Sequence, residues 1–426
     1  MAHLTSRSGY HDLVTRINKM PEGAPPDDLL YQILRTLFSE QDAAMLAQLP
    51  MRPFSAARAA KIWRISSAEA RTRLERFADR GLMLDMPDPK DGQIFLLPPP
   101  MAGFFEFSLM RIRPELDQGA LAELFYQYLN VEDDFVKAMF AEETHLGRAF
   151  VQEPALPAEL SLHVLDYERA SQVIENASHI AIGLCYCRHK MEHVGQACDA
   201  PQDICMSFNN AAASLIKHKI ARAVDKSECH ELLHQAYEAN LVQFGENVRE
   251  SVNFICNCCG CCCEALLGAR RFAFLHPVHT SNFIPHILNE RCSGCGKCVD
   301  ICPVEALSLV SANRASMPRA RWAKLQEELC LGCGVCTRAC PSNALHLTAR
   351  AKRVITPLNS AHRIVKMAVE RGTLQNLIFD NHALTSHRVM SAILGALLRL
   401  PPIKRTLASD QIQSRYFEAL IRKLGV

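Results

Sequence analysis

The sequence predicts an α+β, mainly helical protein of several domains, and three observations carry that expectation. Its 426 residues, 49% hydrophobic against 22% charged, bury a substantial core and exceed what one compact domain holds. Apolar residues recur about every three to four positions in residues 28–49, 55–82 and 206–250, the spacing of helices packed on one face. From 291 to 348 a cysteine-rich text occurs twice, each copy ending in a short apolar segment, ALSL or ALHL, that reads as strand. A formal net charge of +2 gives no global sign of a nucleic-acid or membrane partner.

The first residues, MAHLTSRSGYHDL, lack the apolar core of a secretory signal, and no run approaches the roughly 18 to 20 apolar residues that span a bilayer. A cytoplasmic protein is expected. Thiols stay reduced there, so the nineteen cysteines, all between Cys185 and Cys340, read as metal or redox ligands before they read as disulfides. In the N-terminal part, residues 28–49 form two helices and Pro53 breaks the pattern. Ser55 and Ser66 or Ser67 then cap two further helices, Ile65 fills the turn between them and Gly81 ends the second. A short strand, a turn at Asp91 and Gly92, and the strand Ile94 to Leu97 follow. This order resembles the winged-helix domains of bacterial regulators. Eight basic and three acidic residues lie between Met51 and Leu82, and Arg71, Arg73 and Arg76 fall on the helix that such a domain would set in a major groove. Arg73 also pairs with Glu69 at i, i+4, and winged helices dock proteins as well as DNA, so both partners stay open.

Beyond Pro98, Pro99 and Pro100, the stretch from Glu115 to Glu159 holds ten acidic and two basic residues; Glu132, Asp133 and Asp134 read as solvated surface. Two dense cysteine blocks follow. CYCRHKMEHVGQACDAPQDIC supplies Cys185, Cys187, Cys198 and Cys205; CNCCGCCC supplies Cys256, Cys258, Cys259, Cys261, Cys262 and Cys263. Six thiolates within eight residues repel one another unless cations neutralise them. One composite metal site is therefore expected, its halves joined by a helical hairpin. Its content stays open between a further iron–sulfur centre, a zinc or other metal site, and a dithiol–disulfide pair. His189 with His193, and His230 with His234, have the spacing of helical metal pairs, though seventeen histidines make such pairs common by chance. Cys229 reads as a buried structural thiol. Arg188 and Lys190 are placed to balance thiolate charge.

The repeat is the most specific signal. Each copy reads C-x2-C-x2-C-x3-C-P: Cys292, Cys295, Cys298, Cys302 with Pro303, and Cys330, Cys333, Cys336, Cys340 with Pro341. It resembles the bacterial two-cluster ferredoxin domain. That resemblance implies two 4Fe-4S clusters, one on Cys292, Cys295, Cys298 and Cys340, the other on Cys330, Cys333, Cys336 and Cys302, each fourth ligand arriving from the start of a helix in the other half. Gly294 and Gly332 would keep side chains off the loops where amides approach sulfur. An insert at about residues 311 to 326 separates the halves. Zinc knuckles are the alternative for C-x2-C pairs. CNCCGCCC ahead of such a unit is also similar to bacterial cysteine-rich iron–sulfur proteins, a likeness that brings little function with it.

Residues 351–426 carry twelve Lys or Arg against four Asp or Glu, with Val389, Ile393, Leu397 and Leu400 at helical spacing, as in a basic cap or docking surface. No Gly-rich phosphate loop or nucleophile elbow supports a nucleotide, flavin or hydrolase site. The expected organisation is therefore a winged-helix-like domain at 1–114, a helical cysteine-rich metal-binding domain at 115–282, a two-cluster ferredoxin domain at 283–350 and a helical C-terminal region at 351–426. The expected function is intracellular electron transfer with a redox partner protein, through two 4Fe-4S clusters and a further cysteine-ligated centre. An open position on that centre would make the chain an oxidoreductase or its reductase component. A redox-sensing, DNA-binding regulator is the alternative. The sequence carries no signal of oligomeric state.

Overall fold

A computed structural model describes residues 8–140, 143–161, 164–272, 278–311, 321–381 and 384–398. The chain divides into two units: residues 1–144, 213–222 and 360–426 form one, and residues 145–212 and 223–359 the other.

The first unit begins with the helices Gly9–Ile17, Asp28–Leu37 and Glu40–Leu46, whose N-termini are capped by the side chains of Ser8, Asp27 and Ser39. Leu30, Ile33, Leu34 and Leu37 form the buried stripe of the second helix, as its apolar spacing requires. Next come β1 (Phe54–Ser55), the helices Ala56–Trp63 and Ser67–Asp79, then β2 (Leu84–Asp88) and β3 (Gly92–Leu96). The three strands form an antiparallel sheet ordered β1-β3-β2. Ser66 caps the second of these helices by accepting from the Glu69 N–H, and Gly81 leaves it at φ +73°. The helices Ser360–Glu370, Leu374–Ile378 and Thr385–Leu398 belong to the same unit. Arg363 forms a buried ion pair with Glu22 at 2.9 Å, and Arg52 and Arg58 both reach the buried carboxylate of Asp380. The last helix buries Ser391 and Gly395 and exposes Val389, Ile393 and Leu397; Leu400 lies outside the described residues.

The second unit is built on a sheet where helices were expected. Its strands β4 (Gly147–Ala149), β5 (Ile180–Leu184), β6 (Asp203–Phe208), β8 (Val242–Glu246) and β9 (Phe254–Cys258), with β7 (Arg222–Ala223) where the chain re-enters this unit, are ordered β4-β8-β9-β6-β5-β7. The pairings β4–β8, β8–β9, β9–β6 and β6–β5 are antiparallel. Between the cysteine blocks the helices Asn209–Lys217, which passes into the first unit at residue 213, and Lys226–Glu238 are interrupted by strands and make no hairpin. Every residue of β8 is buried, so it shows no two-residue period, and a short apolar run of that kind reads equally well as helix.

The repeat contributes β10 (Phe283–Ile287), β11 (Leu307–Ser311), β12 (Arg321–Leu325) and β13 (Leu345–Ala349), in two antiparallel ladders, β10–β13 and β11–β12. The end of the insert supplies β12, which pairs with β11, so the two strands of the repeat sit in separate ladders instead of one small sheet. No helix among the described residues is long and apolar enough to cross a membrane.

Candidate metal centres

Each copy of the repeat forms a loop and then one helical turn, Lys297–Asp300 or Val335–Arg338. Cys298 and Cys336 lie within the turns, while Cys302 and Cys340 follow them; the fourth cysteines thus leave a helix where they were expected to open one. Cys292, Cys295, Cys298 and Cys340 line one shared pocket. On the other side burial pushes the Cys336 thiol well above its ordinary range, and the nearby Cys333, Cys330, Cys302 and Cys298 add to that effect. Backbone amides aim at the sulfurs: Ala323 N–H donates to Cys292 at 3.5 Å, Ala306 to Cys302 at 3.2 Å, Gly332 to Cys330 at 3.4 Å and Ala344 to Cys340 at 3.3 Å. Such donors stabilise thiolate sulfur and tune a bound cluster.

Gly294 and Gly332 hold φ +66° and +69°, and a Cβ at either would strike the carbonyl of Arg321 or Phe283. Burial pushes the Cys298 thiol up to about 11 and the Cys333 thiol up to about 12. Deprotonating these groups therefore needs a compensating cation, as a thiolate-bound iron–sulfur core provides. The donor set, the amides and the side-chain-free loops fit such a core.

The ten upstream cysteines form two sets. Cys205 lies on β6 opposite Gly183, and Cys256 and Cys258 lie on β9 opposite Phe244 and Val242. Residues two apart on a strand share a face, so C-x-C presents two thiols together. Cys185 and Cys263 are the N-cap residues of the helices Tyr186–His193 and Glu264–Arg271, with Cys187 in the first turn. Hydrogen bonds connect these six in series, from Cys205 to Cys256, Cys258, Cys263, Cys187 and Cys185. The contacts pull Cys256 and Cys263 well below the ordinary thiol range and push Cys187 and Cys258 well above it. Hydrogen bonds from the thiols of Cys187 and Cys258 lower Cys263 most, and the amides of Leu266 and Ala265 add to that effect at the helix start.

The other four, Cys198, Cys259, Cys261 and Cys262, have all their sulfurs within 4.8 Å of one another. Cys198 stands 3.6 Å from Cys259 and 3.8 Å from Cys262, and Cys261 stands 3.7 Å from Cys262. A hydrogen bond with Cys262 takes Cys259 down to about 4. The strand-borne and cap-borne thiols thus gather along β6, β9 and the two helix starts, while the turn after β9 gathers its own with Cys198.

Arg188 lies between the sets. It is fully buried, donates to the carbonyls of Pro201 and Asn257 at 2.7 Å, and also hydrogen-bonds Cys259. Burial works against its charge, but Cys185, Cys259 and Cys258 outweigh burial and raise it. Lys190 pairs instead with Glu264 at 2.8 Å, both buried, tying together the two helices whose starts carry Cys185 and Cys263. The His189 and His193 rings lie 4.9 Å apart, and His230 bonds Glu175 at 2.7 Å. Cys229 is a core residue among Ile174, Phe208 and Leu233.

Sequence reasoning missed the contact between CNCCGCCC and the repeat. A Cβ on Gly260 would lie 2.6 Å from the Pro303 carbonyl oxygen, and Cys258 and Cys263 share one core with Val304, Ala306, Cys330 and Cys333. The glycine amid six cysteines was its one signal.

Residues 291–344 match the family model of the 4Fe-4S dicluster domain, and this stretch is an iron–sulfur domain. No curated protein matches the chain. No solved structure matches it either.

Proposed function

We propose that the chain is an iron–sulfur electron-transfer protein, in which Cys292, Cys295, Cys298 and Cys340 hold one 4Fe-4S cluster, Cys302, Cys330, Cys333 and Cys336 hold a second, and the upstream thiols hold further metal. When bound, such clusters supply one-electron redox chemistry. The carrying observation is the common core: Cys256 and Cys302 both pack against one buried cluster that itself contains Cys258, Cys263, Cys330 and Cys333, so thiols of the repeat and of the upstream block share it. A second core, with Cys298 and Cys336 buried together and Cys292, Cys302 and Cys340 packed on them, joins the two halves of the repeat.

Exposure gives this array an outside and an inside. Cys295 is exposed, whereas Cys330, Cys333 and Cys336 are buried, so a redox partner protein docks nearest the Cys295 loop and the second set faces the upstream thiols. The chain then acts as a carrier, or as the reductase component of an enzyme if the upstream centre reacts with a substrate.

The alternative, a redox-sensing DNA-binding regulator, draws on the winged-helix-like order of β1, two helices, β2 and β3. On its basic helix Arg71 bonds Gln93, Arg73 bonds Glu69 and Arg76 pairs with Asp42, all at the surface.

Oxygen-free purification with iron and sulfide analysis and EPR tests the proposal. Two reducible 4Fe-4S signals with at least eight irons per chain are expected. Colourless protein loaded only with zinc would overturn it.

A further inference from the structure

We infer that Cys198, Cys259, Cys261 and Cys262 form a separate site for one tetrahedral thiophilic metal ion, distinct from the six-thiol set beside it. This deepens the proposal that the upstream thiols bind metal and rests on that part of it alone.

The separations carry the inference. An ion about 2.3 Å from each of four sulfurs sets them about 3.8 Å apart at the corners of a tetrahedron. The sulfur distances of 3.6, 3.7 and 3.8 Å match that edge, and the remaining ones stay within 4.8 Å. A cubane holds its thiolates outside an iron tetrahedron and needs them further apart. The eight thiols of the repeat behave that way, since no three of them, among the described residues, form so tight a group.

Local backbone explains the crowding. The C-x-C-C turn after β9 supplies three thiols from four residues, and the loop following the helix Tyr186–His193 brings Cys198 against them. A divalent ion bound by four thiolates leaves a complex of net charge about −2. Arg188, buried and bonded to the Cys259 sulfur, offsets part of that charge. Four sulfur donors in a tetrahedron suit zinc or ferrous iron. Either ion pins the loop of Cys198 to the turn that rests on Pro303; iron would add a one-electron centre there.

The test uses the full chain, purified without oxygen, with zinc, iron and acid-labile sulfide measured per chain. Cys198→Ser with Cys262→Ser should remove one metal atom and leave sulfide unchanged. Cys256→Ser with Cys258→Ser, in the neighbouring six-thiol set, should keep that atom. Whether the lost atom is zinc or iron identifies the ion, and either supports the site. Loss of sulfide from the first variant, or loss of no metal, would overturn it.

Unmodified protein provides a second measurement that needs no variant. Cys261 is exposed, yet it should resist alkylation until a chelator strips the ion. Rapid alkylation of Cys261 with the metal count unchanged would also overturn the site. Missing EPR signals from the repeat would count against electron transfer while leaving the single-ion count standing, so the two failures are distinguishable.

Discussion

The repeat and the upstream block handle sulfur in opposite ways. In the repeat, three of each four cysteines come from one loop with two residues between them, and the thiols stand apart around a cavity. In the upstream block, ten thiols come from strand, helix cap and turn, and four of them crowd to between 3.6 and 3.8 Å in the pairs that touch. Wide spacing with amides aimed at sulfur suits a polynuclear core. Tight spacing suits a single ion. The comparison teaches that thiol number says little about a centre, whereas the separations imposed by the backbone decide what fits between them.

The largest effects should come from single ligands of the repeat. Cys295→Ala and Cys333→Ala should each abolish one EPR signal and remove about four irons per chain, leaving the other cluster at least partly intact. The comparison sharpens if the exposed Cys295 change spares the upstream metal while the Cys333 change, in the core shared with Cys258 and Cys263, disturbs it. Retention of both signals in either variant would break it.

A smaller, upstream effect concerns the Lys190–Glu264 pair. Glu264→Gln removes the carboxylate paired with the buried Lys190 ammonium and should cost about 3–5 kcal/mol, read as a lower denaturation midpoint of the metal-loaded protein. Upstream metal should be lost before the repeat's clusters, because the pair ties the helices that present Cys185 and Cys263. Simultaneous loss would mean that the two regions do not respond separately.

The smallest effect lies in the first unit, which holds none of the cysteines, and serves as a control. Burial opposes a charged His218, but hydrogen bonds to Asp85 at 3.0 Å and Asp79 at 2.6 Å prevail and raise it above its ordinary value. Because the folded value is the higher, the stabilisation is complete below about pH 6.5 and is lost as pH rises through the folded value. His218→Asn should remove about 1.5–3 kcal/mol at pH 5.5, and less at pH 9, in chemical denaturation. Metal content should not change at either pH.

Much of this was legible in the residues. The paired C-x2-C-x2-C-x3-C-P text marked the iron–sulfur domain, because a loop that wraps a cluster is specified over a dozen neighbouring positions. The cap at Ser66 and the end at Gly81 were readable for the same local reason. The sheet under the upstream cysteines was not, since β8 is buried on both faces and carries no alternation.

What the amino-acid sequence determined by itself was the presence of a duplicated thiolate loop and a surplus of ten further thiols. Which of those ten meet was decided only by tertiary structure: antiparallel pairing brings β6 beside β9, and a returning loop brings Cys198 to Cys259 across 61 positions. The physical reason is range. Loop wrapping is governed by bonds a few residues long, whereas thiols far apart in the chain meet only after strands have paired and the core has closed around them.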